Sequence, residues 1–393
     1  MDRMIANFFT RARTQSGYFL DIPRAAMSYA LSCSIELWAV HLTRAESTVP
    51  TPEAEFEIPY LRKTLSAASD ALTPSSSRPP PISHIIQAHV LLCNYFFRNV
   101  RIVEGKYHLA TAVGLVVGAG LHKRDHQTTT ERIKAFWTVY ALDCCWAVAD
   151  GSSSNFPGHI QDEVDIPWPN EAYAAAQGQG TISAFLDLTL VTSNATSFES
   201  LRTKAATLLE RAAKLVSNYQ YATSPDDRHL FSLSFMNLDA IIQRFRQSLQ
   251  EYPAEQLPLL LACMATIQLH SPFAFALDPD PEAELSRRRI FDAARDIIGS
   301  FDGLQLGLNL VDPIIGTLLT AACRVLLSTI GFQRSHRPES TGPHLRRAPQ
   351  PIPEPVLHGA VDRVLAIMAS LAPGCKIIDA QMNMMREAYR LLA

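Results

Sequence analysis

The stretch from Val100 to Pro169 sets the tightest limits on this fold, because two helical patterns of different character follow each other across one short turn. The first is built on small residues. It places Tyr107, Ala110, Val113 and Val117 along one side and Leu109, Ala112 and Val116 along another. A helix apolar on nearly every face is expected to lie buried between neighbours. Ala110, Ala112, Gly114, Gly118 and Ala119 carry almost no bulk, so a second helix is expected to approach closely. Glycine inside a helix costs up to ~1 kcal/mol relative to alanine and needs such a reason. Gly120 sits where a left-handed C-cap would end the helix.

The second pattern runs from Glu131 to Ala149. Ile133, Phe136, Trp137, Tyr140, Ala141, Cys144, Cys145 and Val148 follow helical spacing. Thr128 with Glu131 reads as a capping box, and Asp150-Gly151 as the stop. Burying each large side chain contributes roughly 1.5–3 kcal/mol. A polar loop then ends in Asp165-Ile166-Pro167-Trp168-Pro169.

The remaining chain is also helical in pattern. Asp21-Ile22-Pro23 leads into a helix through Leu31, Ile35, Trp38 and Leu42, and another is expected over 54–72. Leu72 to Pro81 is a loop by composition, after which Ser83 caps a helix with Ile86, Val90, Tyr95 and Phe97. Beyond Pro169 comes a low-complexity connector, 174–180. Thr196 with Glu199 forms a capping box, and Asp280-Pro281 and Asp312-Pro313 read as helix starts. Residues 333–355 form a Pro/Arg-rich insertion, expected to be mobile. The sum is an all-α chain of about a dozen helices in an irregular array, with no convincing strand. No fixed repeat period supports a regular solenoid.

Composition excludes several classes. Apolar residues make up 47% of the 393, ample for a core. A net charge of −3 with a pI near 6.5 argues against a strong electrostatic hold on nucleic acid. Seven dispersed cysteines without a Cys-x-x-Cys pair look like reduced, buried thiols of an intracellular protein. The longest strongly apolar run, Leu109 to Leu121, is too short to span a membrane, so no membrane partner is expected.

Candidate chemistry is thin, and catalytic, cofactor and metal residues are all expected to be none. Gly114, Gly118 and Gly120 lack the spacing and preceding strand of a phosphate loop. His122 and His126 are four apart but lack a third ligand. Cys144 and Cys145 point about 100° apart on a helix, which favours two buried thiols over a redox pair. His159, Asp162, Glu163 and Asp165 read as a solvated loop rather than an acid/base cluster. Arg334, His336, Arg337, Arg346 and Arg347 form a basic tract that reads as a plain loop before it reads as a nucleic-acid contact or import signal. An all-α magnesium enzyme of terpene-cyclase type fails on its metal motifs. Asp226-Asp227-Arg228-His229 is followed by Leu230 where a carboxylate is required, and Asn194-x-x-Ser197 by Leu201 where a Glu is required.

One ordered series does carry a resemblance. Gly105, Leu121-His122-Lys123, Phe136-Trp137-x-x-Tyr140-x-x-Asp143 and Asp165-Ile166-Pro167-x-Pro169 resemble the regulatory (middle homology) domain of fungal zinc-cluster transcription factors, also called the xylanolytic-activator regulatory domain. The core of the resemblance spans 82–170. Tyr18 to Arg24 and the helical C-terminal half extend it over 1–393. Two positions depart: the common Gly-Arg-Pro is Gly151-Ser152-Ser153 here, and the basic run before Phe-Trp is diluted to Glu131-Arg132-Ile133-Lys134-Ala135.

The resemblance implies a nuclear regulatory domain of a transcription factor that senses an effector or a partner. DNA in that family is read by an N-terminal six-cysteine cluster with two zinc ions, followed by a coiled coil. Here Cys33 and Cys93 are the first cysteines, so DNA is expected as a partner only through a cluster elsewhere, and zinc only with that cluster. Transcriptional co-regulators, a small-molecule effector and a second copy of the chain are the other partners it implies. The rival reading, a pure protein-interaction scaffold, expects a grooved surface without an enclosed cavity, whereas a sensor expects a cavity between helices.

Overall fold

The computed structural model describes residues 2–12, 17–46, 57–73, 79–125, 128–171, 181–187, 197–219, 224–252, 256–275, 281–303, 311–335 and 352–392. Among them are fifteen α-helices and no strand. The chain divides into two compact units. One comprises Met1–Glu210, Gly307–Ile314 and Pro373–Ile377; the other comprises Arg211–Leu306, Ile315–Ala372 and Ile378–Ala393.

The first unit holds α1 (Asp2–Asn7), α2 (Tyr29–Glu46), α3 (Ile58–Asp70), α4 (Ile82–Arg98), α5 (Ile102–Gly118), α6 (Thr130–Asp150), α7 (Gly158–Asp162), α8 (Thr181–Phe185) and the first half of α9 (Phe198–Tyr219). Its axis is α4, every residue of which from Ser83 to Arg98 is buried. A helix enclosed on all sides needs partners for the polar side chains it carries, and α4 finds several of them by clasping segments distant in sequence. Gln87 accepts from the Phe19 amide at 2.7 Å and donates to the Gly17 carbonyl at 3.1 Å. Tyr95 donates to Glu57 at 2.7 Å. Arg98 donates to the Val311 and Gly374 carbonyls, both at 2.6 Å, which ties both short returning segments to this unit.

Two buried polar clusters lie against α4. Glu57 is 0% exposed and meets His41, Arg44 and Tyr95. Burial alone would raise its pKa, but the hydrogen bonds and charges of those partners bring it down to about 2. His89 and His108 face each other, Nδ1 to Nδ1, at 2.9 Å. Burial lowers their pKa values to about 4 and about 3, so both rings are neutral.

Several local expectations need correction. Thr129 caps α6, accepting from the Arg132 amide at 3.3 Å, while Thr128 turns back to Asp125 at 3.0 Å. The cap is therefore one residue later than the sequence pattern places it. Ser83 lies inside α4, whose N-cap is Pro81. The helix expected over 54–72 is Ile58–Asp70 among the described residues. Helix α5 is not enclosed: Val103 and Tyr107 are 80% and 65% exposed, and a Cβ added at Gly114 or Gly118 would meet nothing within 4 Å. Close approach is realised at Gly105 instead, where a Cβ would lie 2.5 Å from the Phe97 ring. The end of α5 follows expectation. Gly120 has φ +64°, and the amides of Leu121 and Gly120 reach back to the Val116 and Val117 carbonyls, closing a Schellman turn. Gly151, at φ +72°, ends α6 likewise.

The second unit holds the rest of α9, α10 (Pro225–Ser248), α11 (Gln256–Ala274), α12 (Pro281–Gly299), α13 (Ile314–Ser335), α14 (Glu354–Leu371) and α15 (Lys376–Leu392). Helices α11 and α13 are long and apolar enough to cross a membrane, contrary to the expectation from the longest apolar run. They serve as core helices, with 72% and 61% of the apolar window buried within the protein. Asp226 and Asp227 form the first turn of α10, where Ser224 and Asp227 make a full capping box. The carboxylate pair weighed as a metal motif is thus a helix start. Thr196, Asp280, most of the 333–355 insertion and the 174–180 connector lie outside the described residues.

Candidate functional site

The motif residues converge around α6. Leu121, His122, Phe136, Trp137, Tyr140 and Asp143 are all buried, the three aromatics and Asp143 to 0% exposure. The aromatic spacing i, i+1, i+4 turns these rings toward the loop that follows the helix. Trp137 Nε1 donates to the Pro167 carbonyl at 2.7 Å, and its ring stacks on Trp168 at 4.3 Å. Phe136 and Tyr140 each meet Phe156 edge-on at 5.7 and 5.5 Å.

Asp143 fastens the start of the same loop. Its carboxylate accepts from Ser154 Oγ at 2.6 Å, from the Asn155 amide at 2.9 Å and from Asn155 Nδ2 at 2.6 Å. Burial raises its pKa despite these donors. Asp165 accepts from the Arg124 amide at 2.6 Å, and its own amide donates to the His122 carbonyl at 3.2 Å. Pro169 accepts from Ser197 Oγ at 3.0 Å, which joins the end of the loop to the start of α9. Gly105, on α5, stands apart from this cluster and serves the contact with Phe97. His122 is buried with neither ring nitrogen paired among the described residues, and burial lowers its pKa. His126 lies outside the described residues.

Beside the cluster lies a cavity of about 280 Å³. Three elements wall it: the extended segment Gly17-Tyr18-Phe19, the face of α6 bearing Lys134, Trp137, Thr138 and Ala141, and the first turns of α9. Pro169 closes one side. Gln87 holds the extended segment in place, and Gly17 is required there twice over. Its φ is +77°, and a Cβ would lie 2.9 Å from Val90 Cγ1.

The polar side chains of the cavity divide by partner. Arg202 pairs with Asp312 at 2.8 Å, and Asp312 is only 1% exposed. Glu199 accepts from Asn170 at 3.2 Å and sits in the first turn of α9, where the helix dipole favours a carboxylate. Lys134 and Thr138 have no hydrogen-bond or ion-pair partner among the described residues. Sequence reasoning reached Tyr18, Phe19 and Trp137 but missed the cavity. The signals for it are faint: Lys134 and Thr138 lie one helical turn apart on α6, and Gly17 precedes an aromatic pair. Only the reach of Gln87 to Gly17 in three dimensions brings them to one place.

Among the described residues the cysteines do not gather as the ligands of a zinc cluster. All seven cysteines are buried single thiols. Burial raises Cys144 well above its usual range and Cys145 to about 12, so neither is poised as a thiolate. No group of three His, Cys, Asp or Glu side chains converges among the described residues. Glu163, from the loop weighed as an acid/base cluster, is exposed and pairs with Lys123 at 2.9 Å.

Comparison with known proteins agrees with the motif series. The family model for the fungal specific transcription factor domain matches residues 40–172. No curated protein and no solved structure matches the chain.

Proposed function

We propose, starting from the match of residues 40–172 to the fungal specific transcription factor domain, that this chain is a regulatory domain acting in the nucleus. A small-molecule effector held in the cavity beside α6 adjusts its activity. The observation that carries the reading is shared ownership of one helix. Trp137 both anchors the motif loop and walls the cavity, so a molecule bound there bears directly on the loop's anchorage. A cavity between helices favours a sensor over a pure interaction scaffold. On this reading the chain regulates rather than catalyses. DNA is read by a zinc cluster on another segment or on a partner, since the cysteines described here are buried free thiols without the spacing of a cluster.

The test is a reporter assay with the full chain tethered to an unrelated DNA-binding domain in a fungal cell, alongside a fluorescent fusion that reports nuclear entry. Thr138→Phe would fill the cavity from a half-buried position. Reporter output that changes with growth condition in the parent and is locked in the variant supports sensing. Equal responses from both, with equal protein levels, would remove the cavity from the function.

A further inference from the structure

The geometry points to a small monocarboxylic acid with an apolar, ring-sized body as the ligand of the α6 cavity; this rests on the reading of that cavity as an effector site. The walls are largely apolar and aromatic, supplied by Tyr18, Phe19, Ala141, Pro169 and Phe198 around Trp137. They suit a flat hydrophobic body. What distinguishes the site is the balance of its charges.

Four charged side chains bear on it, and three of them have a polar partner within the protein. Arg202 and Asp312 meet each other. Glu199 is exposed to solvent, takes a hydrogen bond from Asn170 and sits at a helix start. Lys134, by contrast, has neither a hydrogen-bond nor an ion-pair partner among the described residues, although it is half-buried and lines the cavity. Four residues along the same helix, one turn away, Thr138 offers a hydroxyl without a partner among those residues. A carboxylate reaching Lys134 and Thr138 would gain a charge-assisted hydrogen bond and a neutral one. Glu199 at the same cavity disfavours a second negative charge on the ligand, which selects monoanions over dianions. A cationic ligand would have to leave Lys134 unpaired beside it.

The probes are three molecules on one skeleton: indole-3-acetate, indole-3-acetamide and tryptamine, carrying charges of −1, 0 and +1. Each would be titrated into the full chain by calorimetry. The acid is expected to bind about tenfold more tightly than the amide, the factor that one charge-assisted hydrogen bond supplies. The amine is expected to bind more weakly than either. Lys134→Gln should bring the acid down to the level of the amide and leave the amide unchanged, and Lys134→Arg should restore the preference. Because Lys134 has no protein partner among the described residues, its replacement is not expected to unfold the chain, which circular dichroism would check.

Equal binding of all three probes, abolished by Thr138→Phe, would overturn the anionic ligand class while leaving the cavity as a binding site. Binding of none would overturn the proposal, and the reporter response of Thr138→Phe would then judge the effector reading by itself. An acid preference that survives Lys134→Gln would also overturn it, since the anion would be held elsewhere.

Discussion

Helix α5 carries the more continuously apolar sequence of the two hairpin arms, yet it is α6 that is enclosed. Phe136, Trp137 and Tyr140 of α6 are 0% exposed, whereas Val103 and Tyr107 of α5 stand 80% and 65% exposed. The difference lies in what each arm offers its surroundings. The rings of α6 bring area, and Trp137 brings a donor that a following loop can satisfy, so the chain folds back over it. The small residues of α5 bring neither. Apolar content sets how much surface a helix is able to bury, while side-chain volume and polar handles decide where burial happens.

The largest effect is expected where α6 and its loop depend on one side chain. Trp137→Ala would open a cavity, orphan the Pro167 carbonyl and remove the stack on Trp168. Its cost should be about 3–5 kcal/mol, the range for large aromatics lost from a core. Chemical denaturation gives the size, and limited proteolysis should find new cleavage between 151 and 169. A loss below ~1 kcal/mol with an intact loop, far under that range, would show that α6 is not the anchor.

Acid should act on the face of α5 that is buried. His108 of α5 and His89 of α4 are held by burial to about 3 and about 4, against an unfolded value near 6.5. Between those values the unfolded chain takes up more protons than the folded one, so stability is full above pH 6.5 and falls as pH drops toward 4. Each ring should contribute about 2 kcal/mol of loss between pH 7 and pH 5. Burial lowers His41, His84 and His122 as well, which adds slope in the same direction. Glu57, held at about 2, retains its contribution through this window and loses it only below about pH 4.5. The double variant His89→Leu, His108→Phe should therefore flatten the denaturation midpoint between pH 7 and 5. An unchanged slope would assign the acid sensitivity to the other histidines.

The two arms also show what a sequence discloses. The aromatic spacing of α6, its glycine stop and the Gly120 turn were legible because each rests on local geometry. The cap fell on Thr129 rather than Thr128 because both threonines offer the same hydroxyl, and only the Thr128–Asp125 contact separates them. The enclosure of α4 was not legible, since the partners that let Gln87 and Arg98 be buried, at 17–19, 311 and 374, are distant in sequence. The cavity was hidden for the same reason: its walls come from segments more than a hundred residues apart.

The smallest effects should come from the glycines of α5, which look alike in sequence and differ in surroundings. At Gly105 an added methyl would press on the Phe97 ring, itself stacked on Trp146 at 3.6 Å, so neither ring has room to retreat. Gly105→Ala should cost about 1–3 kcal/mol, as overpacking does. At Gly114 the same methyl meets nothing within 4 Å on an exposed face. Gly114→Ala should stabilise the chain by about 0.5–1 kcal/mol, because alanine loses less backbone freedom on entering a helix. The pair of denaturation curves separates the two causes of a helical glycine, contact on one side and mere absence of bulk on the other. If Gly114→Ala destabilised instead, some other surface would have to cover that face of α5 in solution, and the contrast between the arms would belong to the isolated chain alone.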